Sequence, residues 1–334
     1  MFSRFSLHHW RQFDDVELEF SDGLTVLTGE NGTGKTTILS VLSKHFGWNL
    51  RFVSLYHMSR KRQKKLLADA WDWYESETEE VPGSIPVGQI AYADGSECDL
   101  MMPPSDSPKQ YQLSYRGSKA VEGIHIPSHT PSFSFYKVDS VPVDPVSSSG
   151  QYQKYQSLLQ SLYLGANAEN PGKQLKRSLI SLAVFAGSTE YVRGNPEYHE
   201  ILSGFQDKLG ILLPRNLGFE RLIIEDSDIV FETRTGRFSL DAVSGGVGAL
   251  VGIAWQIHMY SLDKDRIVVT IDEPETHLHP SMQRELLPNL RRAFPSTQFV
   301  VATHSPFIVT SAPEAHVYAL TYGDSHRVNS QAPG

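Results

Sequence analysis

One octapeptide leaves this chain few folds to choose from: Gly29-Glu30-Asn31-Gly32-Thr33-Gly34-Lys35-Thr36. It fits G-x-x-x-x-G-K-[ST], and its flanks meet the structural condition of that pattern. Leu24, Val26 and Leu27 lead in as a strand, and Ile38, Leu39, Leu42 and Phe46 follow at helical spacing, with Gly47 as a stop. The three glycines permit turns that side chains block, so backbone N–H groups face inward around an anion at a helix N-terminus. Lys35 is expected to reach the β- and γ-phosphates, and Thr36 to offer its hydroxyl to Mg²⁺.

Three further sites lie towards the C-terminus. RIVVTI (266–271) is continuously apolar, as suits a strand buried on both faces, and it delivers Asp272 and Glu273 at its end. A carboxylate in that place organises Mg²⁺, and its neighbour is the natural base for an attacking water. QFVVA (298–302) is a second buried strand, ending in Thr303-His304-Ser305-Pro306. His304 is placed to hydrogen-bond a γ-phosphate or the water, although a lone histidine at a strand end is more often structural. Ser244-Gly245-Gly246 opens an apolar helix, where hydroxyl, amides and helix dipole suit a phosphate; a plain helix cap is an equally common reading.

The order strand–helix, a long intervening stretch, then helix–strand–helix–strand predicts an α/β core with its middle looped out. The core is expected over 1–48 plus 219–334, and the looped-out region over 49–218. Within that region, RKRQKK (60–65) and the following LLADAWDWY predict a helix or helix plus loop. Asp94-Gly95 predicts a hairpin, and Gly117 a second one within QLSYRGSKAVEGIHI. Residues 140–151 read as a linker, and 151–213 as helices broken at Asn170-Pro171 and Asn195-Pro196.

Composition removes several classes. Of 334 residues, 40% are hydrophobic and 20% charged, which excludes wholesale disorder. No apolar run approaches a membrane span, and the N-terminus lacks a secretory signal. Cys98 is the single cysteine, so no internal disulfide forms and a reducing cytosol is the expected setting. A net charge of −8 excludes a chain-wide basic footprint, leaving only local patches for nucleic acid. Arg60-Lys61-Arg62-Lys64-Lys65, with Trp71, Trp73 and Tyr74 behind it, and Lys173, Lys176 and Arg177 are the candidates; solvated faces and buried aromatic core are the commoner readings. His277 and His279 invite a metal reading that has little weight, and Cys98 has no visible catalytic partner.

Taken in order, GENGTGKTT, SGG, VVTIDEPETHLHP and ATHSP resemble the ABC-type ATPases, and more narrowly the branch holding SMC-type proteins, recombination mediators and OLD-type nucleases. The opening HHWRQFDDVELEFSDGLTVLTGENGTGKTT is similar to that branch throughout. The resemblance covers about 1–48 and 219–310. It implies an α/β fold: an ABC-type P-loop ATPase core with an inserted β-hairpin and helical lobe. It further implies ATP and Mg²⁺ as ligands, Gly29 to Thr36 and Thr37 around the nucleotide, Thr36 and Asp272 on the metal, and Glu273 and His304 in catalysis. Two copies would close head to tail over two ATP molecules, with Ser244, Gly245 and Gly246 of one facing Lys35 of the other. Arg11 stands where the branch places a basic residue beside the nucleotide.

Three departures accompany the resemblance. The signature reads SGGVG rather than LSGGQ, Gln89, Gln151 and Gln153 compete for the glutamine loop, and no heptad array separates the two halves. The expected function is an ATP-driven switch, a homodimer or higher homo-oligomer that controls a separate effector, a nuclease or toxin, in anti-phage defence or DNA-related work. The stretch after Pro306 is too short for an OLD-type nuclease domain, and nucleic acid is admitted as a further partner. The alternatives are the nucleotide-binding subunit of a membrane transporter and an ATP-locked scaffold that does not hydrolyse. DEPETHLHP and the long middle region weigh against the first, and Glu273 with His304 against the second.

Overall fold

The computed structural model describes residues 1–53, 56–58, 64–66, 83–103, 110–128, 136, 138, 140, 147–188, 190, 191 and 193–331. In chain order, β1 (Phe2–His8), β2 (Phe13–Glu19) and β3 (Leu24–Gly29) precede the glycine-rich turn, and α1 (Lys35–Ser43) follows it. Short strands come next: β4 (Phe52–Val53), β5 (Tyr56–Met58) and β6 (Lys64–Leu66). Then come β7 (Ile85–Tyr92), β8 (Glu97–Met102), β9 (Gln110–Tyr111), β10 (Ser114–Arg116) and β11 (Gly123–Ile126). Three helices follow, α2 (Ser148–Tyr163), α3 (Pro171–Ala186) and α4 (Pro196–Leu212), and then a three-stranded sheet of β12 (Phe219–Glu225), β13 (Asp228–Thr233) and β14 (Gly236–Ser239). The remainder alternates: α5 (Gly245–Ser261), β15 (Ile267–Asp272), α6 (Pro280–Ala293), β16 (Thr297–Ala302), α7 (Pro306–Val309), β17 (His316–Tyr322) and β18 (Val328–Gln331).

Eleven strands form one sheet in the order β10-β8-β7-β1-β2-β18-β17-β3-β16-β15-β11. The half from β17 to β11 is parallel throughout. Every residue of β15 and β16 is buried, which is why both read as unbroken apolar runs. Outside that half the pattern changes: in β2, Val16 and Leu18 are buried and Asp15 and Glu17 exposed, the alternation of a sheet with one wet face. Register places Asp272 opposite Ala302, and Ala302 opposite Leu27. The C-terminal ends of β3, β16 and β15 therefore lie side by side.

The turn at Gly95 and the breaks at Asn170 and Asn195 form as expected. Gly95 has φ 81° between β7 and β8, and each Asn side chain caps a helix that starts with proline. α6 runs through Pro288, held by the buried Leu286, Leu287 and Leu290.

Two expectations are corrected. No hairpin forms around Gly117, because β10 pairs with β8 at one edge of the sheet while β11 pairs in parallel with β15 at the other. All four residues of β11 are buried, the demand of a parallel strand rather than a hairpin arm. Lys64–Leu66 is a strand paired with Tyr56–Met58, not helix; the rest of 60–74 lies outside the described residues. Strands of the stretch 49–218 extend the sheet at both ends, since β7 joins β1 and β11 joins β15.

Candidate functional site

The turn after β3 is shaped by two close approaches. A side chain at Gly29 (φ 141°) would strike the Leu320 carbonyl of β17, and one at Gly34 (φ 95°) would strike Gln12 and the Phe13 ring. Between them, the Thr33 hydroxyl donates to the Glu30 carbonyl at 2.9 Å and closes the turn. Lys35 is buried, and its Nζ donates to the carbonyls of Gly29 and Glu30, each at 2.9 Å, so the ammonium lies inside its own loop. Thr36 points the other way, its Oγ1 donating to Asp272 Oδ1 at 3.1 Å. Thr37 continues the first turn of α1.

Asp272 closes β15, and Glu273 turns away at φ 46°, its N–H held by the Ala302 carbonyl at 2.8 Å. His304 leaves β16 beside it, with Nδ1 3.5 Å from Glu273 Oε1 and 3.4 Å from Glu275 Oε1. Three carboxylates thus surround one lysine. Burial pushes the Asp272 carboxyl up to about 6, with Glu273 and Glu275 adding to the rise and Thr36 and Lys35 opposing it. Burial also lowers Lys35, against the pull of the same three acids. A hydroxyl and a carboxylate oxygen in contact, in a pocket with surplus negative charge, are the donor set of a hard divalent cation such as Mg²⁺.

Ser244 is the exposed N-cap of α5, accepting from the Val247 N–H at 3.4 Å. Gly245 and Gly246 pack beside His277 of the same chain, where the close His277 carbonyl leaves Gly246 no room for a side chain. Arg11 (φ 56°) is not drawn onto the loop. Its guanidinium lies over Trp10 and Phe52 and donates to the Val53 carbonyl at 3.0 Å, while its neighbours Gln12 and Phe13 are what touch Gly34. His279 caps α6 through the Ser281 N–H and hydroxyl, and His277 is a left-handed turn residue at φ 69°.

None of the glutamine candidates makes a hydrogen bond with these site residues. Gln89 donates to Asp99 across β7 and β8, Gln151 is buried among Gln174 and Ser178, and Gln153 is exposed. The second basic group is no patch either. Lys176 is fully buried between Asp228 and Asp241, and Lys173 and Arg177 share Glu169. Cys98 is buried. Sequence reasoning passed over Glu275, which is buried behind the site and bonded to Thr303 and His304. Its signal was in plain view as the second acid of Asp272-Glu273-Pro274-Glu275, but only the fold shows that it faces inward.

Among the described residues no helix is long and apolar enough to cross a membrane. The SMC head domain from Thermotoga maritima superposes over 99% of this chain and 98% of its own, with a TM-score of 0.52 at 15% identity, which establishes the ABC-type fold. The Septu protein PtuA of Bacillus thuringiensis is 21% identical over 92% of this chain and 72% of its own length. The Retron Ec83 probable ATPase of Escherichia coli is 37% identical over a shorter match, 18% of this chain and 11% of that protein. The family described as AAA domain, putative AbiEii toxin, Type IV TA system matches residues 71–310, and a second AAA domain family matches residues 4–47. With both halves of the phosphate-binding core matched in this way, the chain belongs to that AAA family, as an SMC/RecF-like, nucleotide-binding ATPase of the defence type.

Proposed function

We propose that the chain binds and hydrolyses ATP, closes head to tail with a second copy around the nucleotide, and thereby controls a separate effector in prokaryotic anti-phage defence, working in the cytosol. The observation that carries the reading is the convergence of Thr36, Asp272, Glu273 and His304 on the mouth of the glycine-rich turn. The loop amides and Lys35 hold the phosphates, Lys35 exchanging its two carbonyl partners for phosphate oxygens. Thr36 and Asp272 would hold Mg²⁺, which supplies charge neutralisation between the β- and γ-phosphates when bound. Glu273 accepts the proton of the attacking water, and His304, whose Nδ1 lies 3.5 Å from Glu273 Oε1, would meet the γ-phosphate. Arg11, next to the Gln12 and Phe13 that touch Gly34, would flank the nucleotide by exchanging the Val53 carbonyl for it. Ser244, exposed at a helix start, completes the site of the second copy. The likeness to a Septu protein and a retron ATPase supports defence, and supports the switch over a transporter subunit.

Glu273→Gln tests the assignment, since it keeps shape and hydrogen bonding and deletes the proton acceptor. Hydrolysis by the purified chain should fall by about 10²–10⁴-fold while ATP affinity is retained. Undiminished turnover would remove Glu273 from the role of base.

A further inference from the structure

Glu275 has contacts that the roles assigned so far leave unused. It is 6% exposed, and its Oε1 accepts from the Thr303 hydroxyl at 2.6 Å and from the His304 N–H at 3.0 Å. The same oxygen lies 3.4 Å from His304 Nδ1. Thr303 Oγ1 accepts in turn from the Ser305 N–H at 3.0 Å, so its own proton is committed to Glu275. Glu275 Oε2 is buried with no hydrogen-bond partner among the described residues. A carboxylate kept in such a place, with one oxygen bare, works against stability. A residue whose environment opposes it is explained by what it does for a neighbour.

We propose that Glu275 is a positioning residue, which locks the ring and backbone of His304 against Glu273 so that base and histidine meet the γ-phosphate as one unit. The proposal rests on the ATP-hydrolysis reading above. The geometry is that of a buckle between two loops. Pro274 stiffens the turn after Asp272, and Glu275 then crosses to the end of β16 and takes donors from two successive residues there. Glu273 Oε1 and Glu275 Oε1 both face Nδ1, at 3.5 and 3.4 Å, so the two carboxylates flank the same edge of the ring. The Glu275 side chain is 6% exposed against 30% for Glu273, which separates its role from that of Glu273.

The test uses the full chain with Glu275→Gln, an isosteric change that removes the charge and one acceptor. Steady-state hydrolysis should lose about tenfold or more in kcat, with ATP affinity within about twofold of wild type and a melting temperature that does not fall. His304→Ala alone should also lower kcat, and Glu275→Gln added to it should cost no more than about twofold further, because both changes break one unit. Thr303→Val keeps the shape and removes one donor to Glu275; it should cost about threefold in kcat, and it carries the test should Glu275→Gln not fold. Undiminished kcat in folded Glu275→Gln, or in Thr303→Val where that variant stands in, overturns the proposal. So does a double variant whose loss is the product of the two single losses. A wild-type chain that hydrolyses no ATP, with Lys35→Ala binding ATP as well as wild type, overturns the site reading beneath it and is a distinct result from an active wild type indifferent to Glu275.

Discussion

Burial holds Asp272 protonated up to about pH 6, with help from the carboxylates beside it. An unfolded aspartate ionises near 3.8, so the folded state binds the proton more tightly. The stability this contributes is complete below about pH 4 and is lost as pH rises through about 6, worth at most ~3 kcal/mol across that window. At neutral pH the nucleotide-free chain therefore bears an ionised, buried carboxylate. Asp272→Asn should raise the melting temperature at pH 7.5 in the presence of a chelator and change it little at pH 4. Mg²⁺ with ATP should then stabilise the wild type more than the variant. Lys35 obeys a different constraint, because its ammonium already satisfies two carbonyls of its own loop. Lys35→Ala removes a phosphate partner and a loop clamp together, and ATP affinity should fall by at least about tenfold by calorimetry.

At the scale of elements, α3 is tied to β13 and to the turn ahead of α5 by one buried cation. Lys176 of α3 bonds Asp228 of β13, Asp241 just ahead of Ser244, and the Tyr136 carbonyl. Lys176→Met strands two carboxylates and should cost ~3–5 kcal/mol in a denaturant melt, whereas Arg177→Ala, one turn position away and partly exposed, should cost under ~1 kcal/mol. A basic run in the sequence could not separate these two neighbours, because helical phase relative to a sheet is set by packing. The same limit explains the misplaced hairpin at Gly117. Local turn chemistry was legible, but whether GIHI returned to its predecessor or crossed to β15 depended on a partner far along the chain, as the pair His125 Nδ1 and Thr270 Oγ1, 145 residues apart, shows. By contrast, the glycine-rich turn, Asp272 at a strand end and Ser244 as a helix cap were legible because each is a local pattern at the junction of two elements. The packing of Arg11 over Phe52 was not, since that ring comes from a different strand.

For the whole molecule, the decisive measurement is assembly. Ser244 and Gly245 are exposed while Gly246 is buried against His277 of its own chain, so the first two residues of the signature face outward. Light scattering of Glu273→Gln should show an ATP-dependent dimer or higher assembly, and Ser244→Arg should abolish it by filling the phosphate-facing cap. An assembly indifferent to ATP in wild type and both variants would place the contact elsewhere.

The sheet also imposes an order in time. β17 lies between β18 and β3, and its Leu320 stands opposite Gly29, the first residue of the phosphate loop. During synthesis, the loop emerges early but has no wall on that side until residues 316–322 arrive. A chain halted at Pro313 should therefore capture no ATP, although it contains every residue assigned to the phosphates, the cation and the water. On the reading proposed above, an unfinished copy would then be unable to join a finished one around ATP.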